Sequence, residues 1–582
     1  MSVNAQNVPT PAGSAPAAAV SADVQEMKRI VTEQQKQLSE LRQLLLDQRR
    51  EIETMKTDKK AVSQPAAGSK TLTSNDEQSA SAAGESSNSG ATASDATPAA
   101  PEPVPTDLRD RPLRSGEVAN PSPRLPHTLA AAERNALPQG RPSEPDGNKS
   151  PLQIRIGNAT ITPVGFMDLT NTFRSTNSGT SLQTNFGNIP FNNTVQGRLT
   201  EDKFSAENSR VGIRVDANYK GKQVLGYVEA DFVGGQAANN TQVSSNSVLL
   251  RMRQYFVDVR QGFWEVLGGQ AWSLLLPNRR GMSPLPADLF YTKVIDVNYI
   301  NGLFWGRIPG IRFIGHPSKT VAFGVALENS TQYFGGSGGG GVPTLPAALA
   351  PFYNFEVDFS QVNDRTLPNY LPDIIGKVTY DPSSRAHFEI GGLVSSIRLF
   401  NPLTQKYFTK FGLGGTLTIN VEPVKGVRLI TANYWNEGGG RYLFGAGPDF
   451  IIRANGSPSL MHSASTVSGV EATKGKLQTY AYYGGVYVQR NTAIDTDGSL
   501  IGYGYTGSPN SQNRSIQEIT GGFIHTLWEN PRYGSLQWMA QYMFLFRNPW
   551  FVASGAPKNA HQHAVFFNLR YTLPGSAPTV RY

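Results

Sequence analysis

The most constraining feature of this sequence is a rhythm of apolar and polar residues that runs from about residue 160 to the C-terminus. Segments of roughly ten alternating residues are joined by connections that are alternately tight and long. An up-and-down barrel that crosses a membrane has this pattern, with short turns at one rim and long loops at the other. The sequence predicts an all-β fold, a sixteen-stranded antiparallel transmembrane β-barrel with strands between Thr160 and Leu573.

The connections themselves support this interpretation. Eight long connections, rich in Gly, Asn and Ser, are predicted to alternate with seven tight ones. The tight turns are centred on Lys220–Lys222, Gln261–Gly262, Pro317–Ser318, Pro382–Ser383, Pro423–Lys425, Lys474–Lys476 and Asn530–Arg532.

Composition is compatible with a barrel and argues against a helical membrane protein. Hydrophobic residues make up 39% of the chain, the mean hydropathy is −0.34, and no apolar run is long enough for a spanning helix. Polar residues that face a lumen would dilute the hydropathy in this way. Cysteine is absent, which excludes disulfides and thiolate metal sites. All seven Trp follow residue 260, as expected for rings at the two membrane interfaces, although a large core could also collect them.

The chain before the barrel divides into three parts. Residues 1–20 are predicted to be disordered, residues 21–57 to form a coiled coil and residues 58–150 to form a disordered linker, with the barrel domain at 151–582. The coiled coil is predicted from a heptad in which eight of ten core positions are apolar. Its a positions are Val24, Val31, Leu38, Leu45 and Ile52, and its d positions are Met27, Gln34, Leu41, Gln48 and Met55. We expect a parallel trimer, with a dimer as the alternative.

Charge is distributed unevenly along the chain. The net charge of +8 arises in residues 151–582, which hold 36 basic and 26 acidic residues. No basic run with interleaved aromatic residues indicates nucleic-acid binding. Basic residues spread over strands could instead line a polar channel and favour anions.

The candidate pore-lining residues lie on the strands and in the third long loop. That loop runs from Leu274 to about Tyr299, and we expect it to fold into the lumen and narrow it. A solvated surface loop is the alternative. Because Asp216, Glu229 and Asp231 share the neighbouring strands, some arginines could pair with carboxylates instead of contacting a solute. The candidates are Arg210, Arg214, Arg251, Arg253, Arg428 and Arg570 on the strands, and Arg279, Arg280 and Lys293 in the loop.

No enzyme, cofactor or metal is predicted. His561 and His563 share one face of a strand, but no third ligand accompanies them. The stretch from Gly335 to Gly341 lacks the Lys-Ser/Thr that a phosphate-binding loop requires.

Three motifs resemble one family. Ser209–Gly212 (SRVG), Tyr227–Phe232 (YVEADF) and Gly269–Ser273 (GQAWS) are similar to the paired hairpins of DcaP-like outer-membrane porins. The resemblance implies a trimer of sixteen-stranded barrels in the outer membrane of a Gram-negative-type cell, preceded by a periplasmic coiled coil. It also implies passive uptake of small anions, including dicarboxylates, through an arginine-lined constriction. Among the candidates, it supports Arg210, Arg251 and Arg253.

Two regions depart from the family layout. Met1 to Pro16 lack the charged and apolar pattern of a signal peptide, and the chain continues past the last predicted strand to Tyr582. We predict a homotrimeric porin with small anionic solutes and outer-membrane lipids as partners. The alternatives are an envelope tether, in which the coiled coil is the functional element, and an outer-membrane enzyme or adhesin.

Overall fold

The computed structural model describes residues 152–235, 248–336, 340–353 and 370–575. The predicted N-terminal segment (1–20), coiled coil (21–57) and linker (58–150) lie outside the described residues.

Sixteen strands form the wall, and each overlaps one strand predicted from the sequence. They are β1 (Ala159–Arg174), β2 (Arg210–Tyr219), β3 (Lys222–Asp231), β4 (Arg251–Gln261), β5 (Trp264–Trp272), β6 (Arg307–Gly315), β7 (Val321–Glu328), β8 (Asp373–Ser383), β9 (Ala386–Asn401), β10 (Lys406–Val424), β11 (Val427–Glu437), β12 (His462–Lys474), β13 (Leu477–Val488), β14 (Asn513–Asn530), β15 (Gly534–Pro549) and β16 (Ala560–Thr572).

The wall closes on itself through β1. Each strand pairs antiparallel with the next one along the chain, and β16 returns to β1 in the register Phe166↔Thr572 to Arg174↔Ala564. The start of β1 pairs with β2, from Ala159↔Ala217 to Phe166↔Arg210. Closure gives every wall strand a partner on both sides, so the barrel leaves no free strand edge.

Smaller elements extend the loop rim. Glu201–Ser205 pairs with the second half of β1, and Ile154–Ile156 pairs with its first residues. Two hairpins are formed by Phe450–Ile452 with Pro458–Leu460 and by Asn491–Ile494 with Leu500–Tyr503. The helices in the described part of the chain are short 3-10 turns at Phe186–Asn188, Gln196–Arg198, Ala350–Phe352 and Gly440–Tyr442. None of them is long and apolar enough to cross a membrane.

One glycine allows β1 to change partners. Gly165 has φ +137°, and a Cβ placed on it would lie 2.3 Å from the carbonyl oxygen of Arg210 on β2. This close approach requires a residue without a side chain. It lies where the β2 pairing ends and the pairing with Glu201–Ser205 begins a few residues later.

Side chains alternate between the two faces of the wall as predicted. On β16, Phe567 and Leu569 are exposed on the outer face, whereas Asn568 and Arg570 are buried on the inner face. The same phase holds on β2, where Val211 is exposed and Arg210 is buried. An apolar exterior with a polar interior is what a membrane-spanning barrel requires.

Two sequence predictions need correction. The fifth long connection is short, because β9 and β10 extend beyond their predicted ends and only residues 402–405 join them. The Trp residues are divided between two locations: Trp264, Trp435, Trp528 and Trp538 are exposed, whereas Trp272 and Trp305 are buried. The interface interpretation therefore holds for the first group, and the core interpretation holds for the second.

The outer face can be tested with a charge at mid-strand. Leu417 of β10 is exposed on this face, and Leu417→Arg is expected to lower the free energy of unfolding in lipid by about 2–4 kcal/mol, since it places a cation in hydrocarbon. Thr409→Arg, on the same face but nearer the loop rim, is the control and should cost much less. Equilibrium refolding into vesicles measures both. Equal effects would contradict the assignment of this face.

Candidate functional site at the third loop

The third loop, residues 273–306 between β5 and β6, crosses the interior of the barrel. Its residue Gly302 has φ +89°, and a Cβ there would lie 2.5 Å from the carbonyl oxygen of Thr466 on β12. On β13, a Cβ on Gly484 would lie 2.0 Å from the carbonyl oxygen of Asn301. Since β12 and β13 lie half a barrel away from β5, the loop reaches the opposite wall. The predicted placement of this loop inside the lumen agrees with the structure.

Polar side chains of the far wall hold the loop in place. Arg279 donates to both carboxylate oxygens of Glu471 on β12, at 3.1 and 2.7 Å. Lys293 Nζ lies 3.4 Å from the same carboxylate and 2.5 Å from Gln478 Oε1 of β13. Asn301 donates its backbone N–H to Glu518 of β14 at 2.9 Å. Buried, charge-assisted bonds of this kind are stronger than neutral ones, and so they fix the loop's position.

The near end of the loop is bound to a second set of wall residues. Lys377 of β8 donates to the Leu276 carbonyl at 2.7 Å and to Asn278 Oδ1 at 3.0 Å. Glu389 of β9 accepts the Asn278 backbone N–H at 3.0 Å. The anchors of the loop are thus spread over strands from β8 to β14.

Apolar packing accompanies these bonds. Phe290, Ile295 and Ile300 of the loop are buried in a cluster that includes inward side chains such as Val467 and Ile516 of the wall. On its other side, Leu285 packs with Val164, Leu225, Tyr227, Phe256, Leu267 and Ala271 of β1 to β5. Burial of one such side chain contributes about 1.5–3 kcal/mol. The loop contacts both walls and narrows the lumen at its own level.

An arginine cluster lies beside the root of the loop. Arg251 donates to both oxygens of Asp231 at 2.9 and 2.8 Å, and Arg253 bridges Asp231 at 2.8 Å and Glu229 at 2.5 Å. Arg210 Nη1 lies 3.6 Å from Glu229. The charges of Arg251, Arg253 and Asp231 also act on Arg307, the first residue of β6. Four guanidinium groups therefore share two carboxylates, which leaves an excess of positive charge.

Aromatic rings bind this cluster to the loop. Trp272 lies under the guanidinium groups of Arg253 and Arg307, at 5.6 and 5.5 Å from ring centre to Cζ. Its ring also contacts Tyr299 of the loop at a centroid distance of 5.9 Å. Cation–π contacts add stabilisation that does not consume the hydrogen-bonding groups of the arginines.

Each of the nine predicted basic residues lies within ion-pair distance of a carboxylate. The cross-wall pairing that the acidic neighbours suggested is therefore widespread. The pairs are Arg210–Glu229, Arg214–Asp216, Arg251–Asp231, Arg253–Glu229, Arg279–Glu471, Arg280–Asp288, Lys293–Glu471, Arg428–Glu422 and Arg570–Asp168.

Solvent accessibility separates the nine into two groups. The side chains of Arg210, Arg253 and Arg570 have no exposed surface, and Arg279 has 4%. The others retain accessible surface: 53% for Arg280, 14% for Arg428, 12% for Lys293 and Arg251, and 9% for Arg214. A buried guanidinium cannot touch a passing solute, so the first group acts on a solute only through its field.

Two participating residues were not found from the sequence. Arg307 is half-buried, and among the residues that the structure describes no hydrogen-bond partner is seen for its guanidinium group. It follows Gly306 at the start of a strand, where alternation is not yet established. Asp168 of β1 accepts from Arg570 Nε at 2.8 Å and from Asn568 at 2.6 Å. Its inward position follows from the alternation, which could have identified it.

One carboxyl group of the loop has a raised pKa. Burial raises the pKa of Asp288 to about 6, against the opposing effect of Arg280, which donates to it at 3.2 Å. The charge of the loop therefore changes in the pH range just below neutrality.

Comparison with known proteins bears on the fold. The outer-membrane channel DcaP of Acinetobacter baumannii aligns with 71% of this chain over 97% of its own, at 16% identity and a TM-score of 0.52. The barrel has the fold of that channel. The resemblance to DcaP-like porins inferred from the three motifs is thus confirmed in fold.

Other alignments are weaker. An anion-selective porin from Comamonas acidovorans aligns over 71% of this chain and 99% of its own, at 12% identity and a TM-score of 0.40. OmpF of Salmonella typhi aligns over 72% and 100%, at 9% identity and a TM-score of 0.38. No protein-family model and no curated protein sequence matches the chain.

The anchoring of the loop can be tested at Arg279. Arg279→Ala leaves Glu471 buried without its bidentate partner, a change that costs about 3–5 kcal/mol in comparable buried pairs. We expect faster hydrogen exchange at the loop amides, with little change in the wall strands. Arg280→Ala, next in sequence but half exposed, is the matched control and should leave the exchange nearly unchanged. Unaltered exchange in Arg279→Ala would show that the ion pair does not hold the loop.

Proposed function

We propose that this protein is an outer-membrane porin through which small hydrophilic solutes diffuse, with a bias toward small anions such as dicarboxylates. The observation that carries the proposal is a loop anchored across a closed barrel, with accessible basic side chains at that level. Arg280 and Lys293 belong to the loop, and Arg428 faces them from β11, since its charge acts on Lys293. Diffusion through the remaining space needs no conformational cycle and no cofactor.

The bias toward anions follows from the balance of charge. Carboxylates that pair with the arginines reduce the field without cancelling it, because the arginine cluster holds four cations against two anions. Arg307 is the member whose guanidinium has no hydrogen-bond partner among the described residues, and so it is the group best able to bind an anion briefly. A planar guanidinium matches the geometry of a carboxylate. Binding must stay weak for the solute to leave.

Assembly and location complete the proposal. We infer a homotrimer formed through the coiled coil and the barrel walls, with the coiled coil in the periplasm and the barrel in contact with outer-membrane lipids. The heptad and the apolar outer face support this arrangement. We infer no enzymatic activity.

A salt gradient across a planar bilayer tests the selectivity. The purified protein is expected to give stepwise conductance with a reversal potential that favours anions. Lys293→Gln and Arg307→Gln should each move that potential toward zero, because each removes a cation near the narrowed region. Lys425→Gln, in the exposed turn between β10 and β11, is the matched control and should leave it unchanged. A reversal potential that favours cations would reject the bias while leaving the pore.

The pKa of Asp288 predicts how selectivity changes with pH. Because this pKa is about 6, the carboxyl is charged at pH 7.5 and mostly neutral at pH 5. The loop thus loses a negative charge as the pH falls, and the preference for anions should increase. Asp288→Asn should show the stronger preference already at pH 7.5 and a flatter pH profile. A preference that weakens on acidification, or an unchanged profile in the variant, would contradict the assignment.

A further inference from the structure

Two buried carboxylates at the far end of the third loop have no cationic partner. Asp296 of the loop and Glu518 of β14 are 1% and 0% exposed. Neither is within 4.0 Å of a Lys, Arg or His nitrogen in the part of the chain that the structure describes. The charge of Asp296 acts on Glu518, so the two groups are close. Ionised carboxylates are very costly to bury unless a cation compensates them.

The nearest positive charge is already engaged. Arg174 acts on Asp296 from a distance, but its guanidinium donates to Glu201 at 2.9 Å and to the carbonyls of Ser181 and Leu182 at 2.9 Å. No basic group is among the charges that act on Glu518. The local charge therefore remains negative if both acids are ionised.

Backbone amides favour the ionised form. Asp296 Oδ1 accepts the N–H of Asn298 at 2.8 Å and that of Thr184 at 3.4 Å, and Glu518 Oε2 accepts the N–H of Asn301 at 2.9 Å. In each case one oxygen is held by the backbone. The second oxygen, Asp296 Oδ2 or Glu518 Oε1, is buried and has no hydrogen-bond partner among the described residues.

Two amide oxygens beside these carboxylates are unsatisfied in the same way. Asn298 donates through Nδ2 to the Thr184 carbonyl, and Asn301 donates through Nδ2 to the Ile516 carbonyl at 2.8 Å. The Oδ1 atoms of both asparagines are buried without a partner in the described structure. Both side chains are at least 99% buried. Buried polar atoms are rarely left without partners, and several unsatisfied oxygens in one place indicate a missing electropositive group.

From this arrangement we propose that the junction of the third loop with β14 is a calcium site, with Asp296 and Glu518 as its charged ligands and Asn298 and Asn301 as neutral ones. The donors are all oxygens and include two carboxylates, which is the chemistry that Ca²⁺ prefers, with water completing its six to eight ligands. Mg²⁺ fits less well, since it demands a smaller octahedral shell and dehydrates reluctantly. The ion would join the loop to the wall at a point where the described structure has no ion pair.

Protons are the competing explanation. Burial raises the pKa of Asp296, so in the absence of a cation the acids could be neutral. The two explanations differ in what Ca²⁺ does to the protein and in what removal of one charge does.

Calcium binding to the full-length protein in detergent, refolded without lipopolysaccharide and treated with a chelator, tests the proposal. Isothermal titration with CaCl₂ should show saturable binding of one ion per chain, and Ca²⁺ should raise the midpoint of thermal unfolding more than Mg²⁺ does. Glu518→Gln keeps the size of the side chain and should abolish both effects. Asp497→Asn, which removes an exposed carboxylate from the hairpin loop, is the control and should retain them.

Two results would overturn the site. The first is wild-type protein that binds no Ca²⁺ while Glu518→Gln is as stable as wild type or more stable, because the carboxyls then hold protons. The second is binding that persists unchanged in Glu518→Gln, because the ion is then elsewhere. If Glu518→Gln fails to refold, Asn301→Asp provides the test in the opposite direction, since an added carboxylate should tighten Ca²⁺ binding. Weaker or absent binding in that variant would count against the site.

Discussion

The hydrogen-bonded closure of β16 against β1 is the constraint on which the rest of this structure depends. Once the sheet is closed, its two faces become unlike environments, and each strand must present apolar residues outward and polar residues inward. Register is then fixed, because a slip of one residue would exchange the two sets along a whole strand. Arg210 and Arg570 are buried on the inner face as a consequence of this register, together with their carboxylate partners.

A closed wall also determines how the interior can be filled. The third loop enters from β5 and is held by anchors on the opposite side, above all the Arg279–Glu471 pair and the close backbone contact of Gly302 with β12 and β13. A loop fixed at both ends and along its length can define a narrow passage. The pairing of cations with carboxylates has two effects. It stabilises the constriction, and it leaves a moderate positive field in place of a strong binding site.

Much of the barrel could be predicted from the sequence, because alternation and turn chemistry are local properties. The sixteen strands and the inward positions of Arg210 and Arg570 follow from a period of two residues. Entry of the third loop into the lumen was an expectation based on its length. Its contacts with Glu471 and Glu518 join residues far apart in sequence and could not be read from a local pattern. The same is true of the pairing that buries Arg253, and of Arg307, whose environment depends on neighbours from three strands. The short connection at residues 402–405 was missed because the strand pattern continues past the membrane-spanning part of β9 and β10.

The account depends most on the third loop as the element that sets the passage. Replacing residues 278–301 by a short Gly-Ser linker and measuring single-channel conductance in a planar bilayer tests this directly, with heat-modifiable gel migration as evidence that the barrel is folded. The account predicts a severalfold rise in conductance together with a weaker preference for anions. A folded barrel whose conductance and selectivity match those of the intact protein would contradict it.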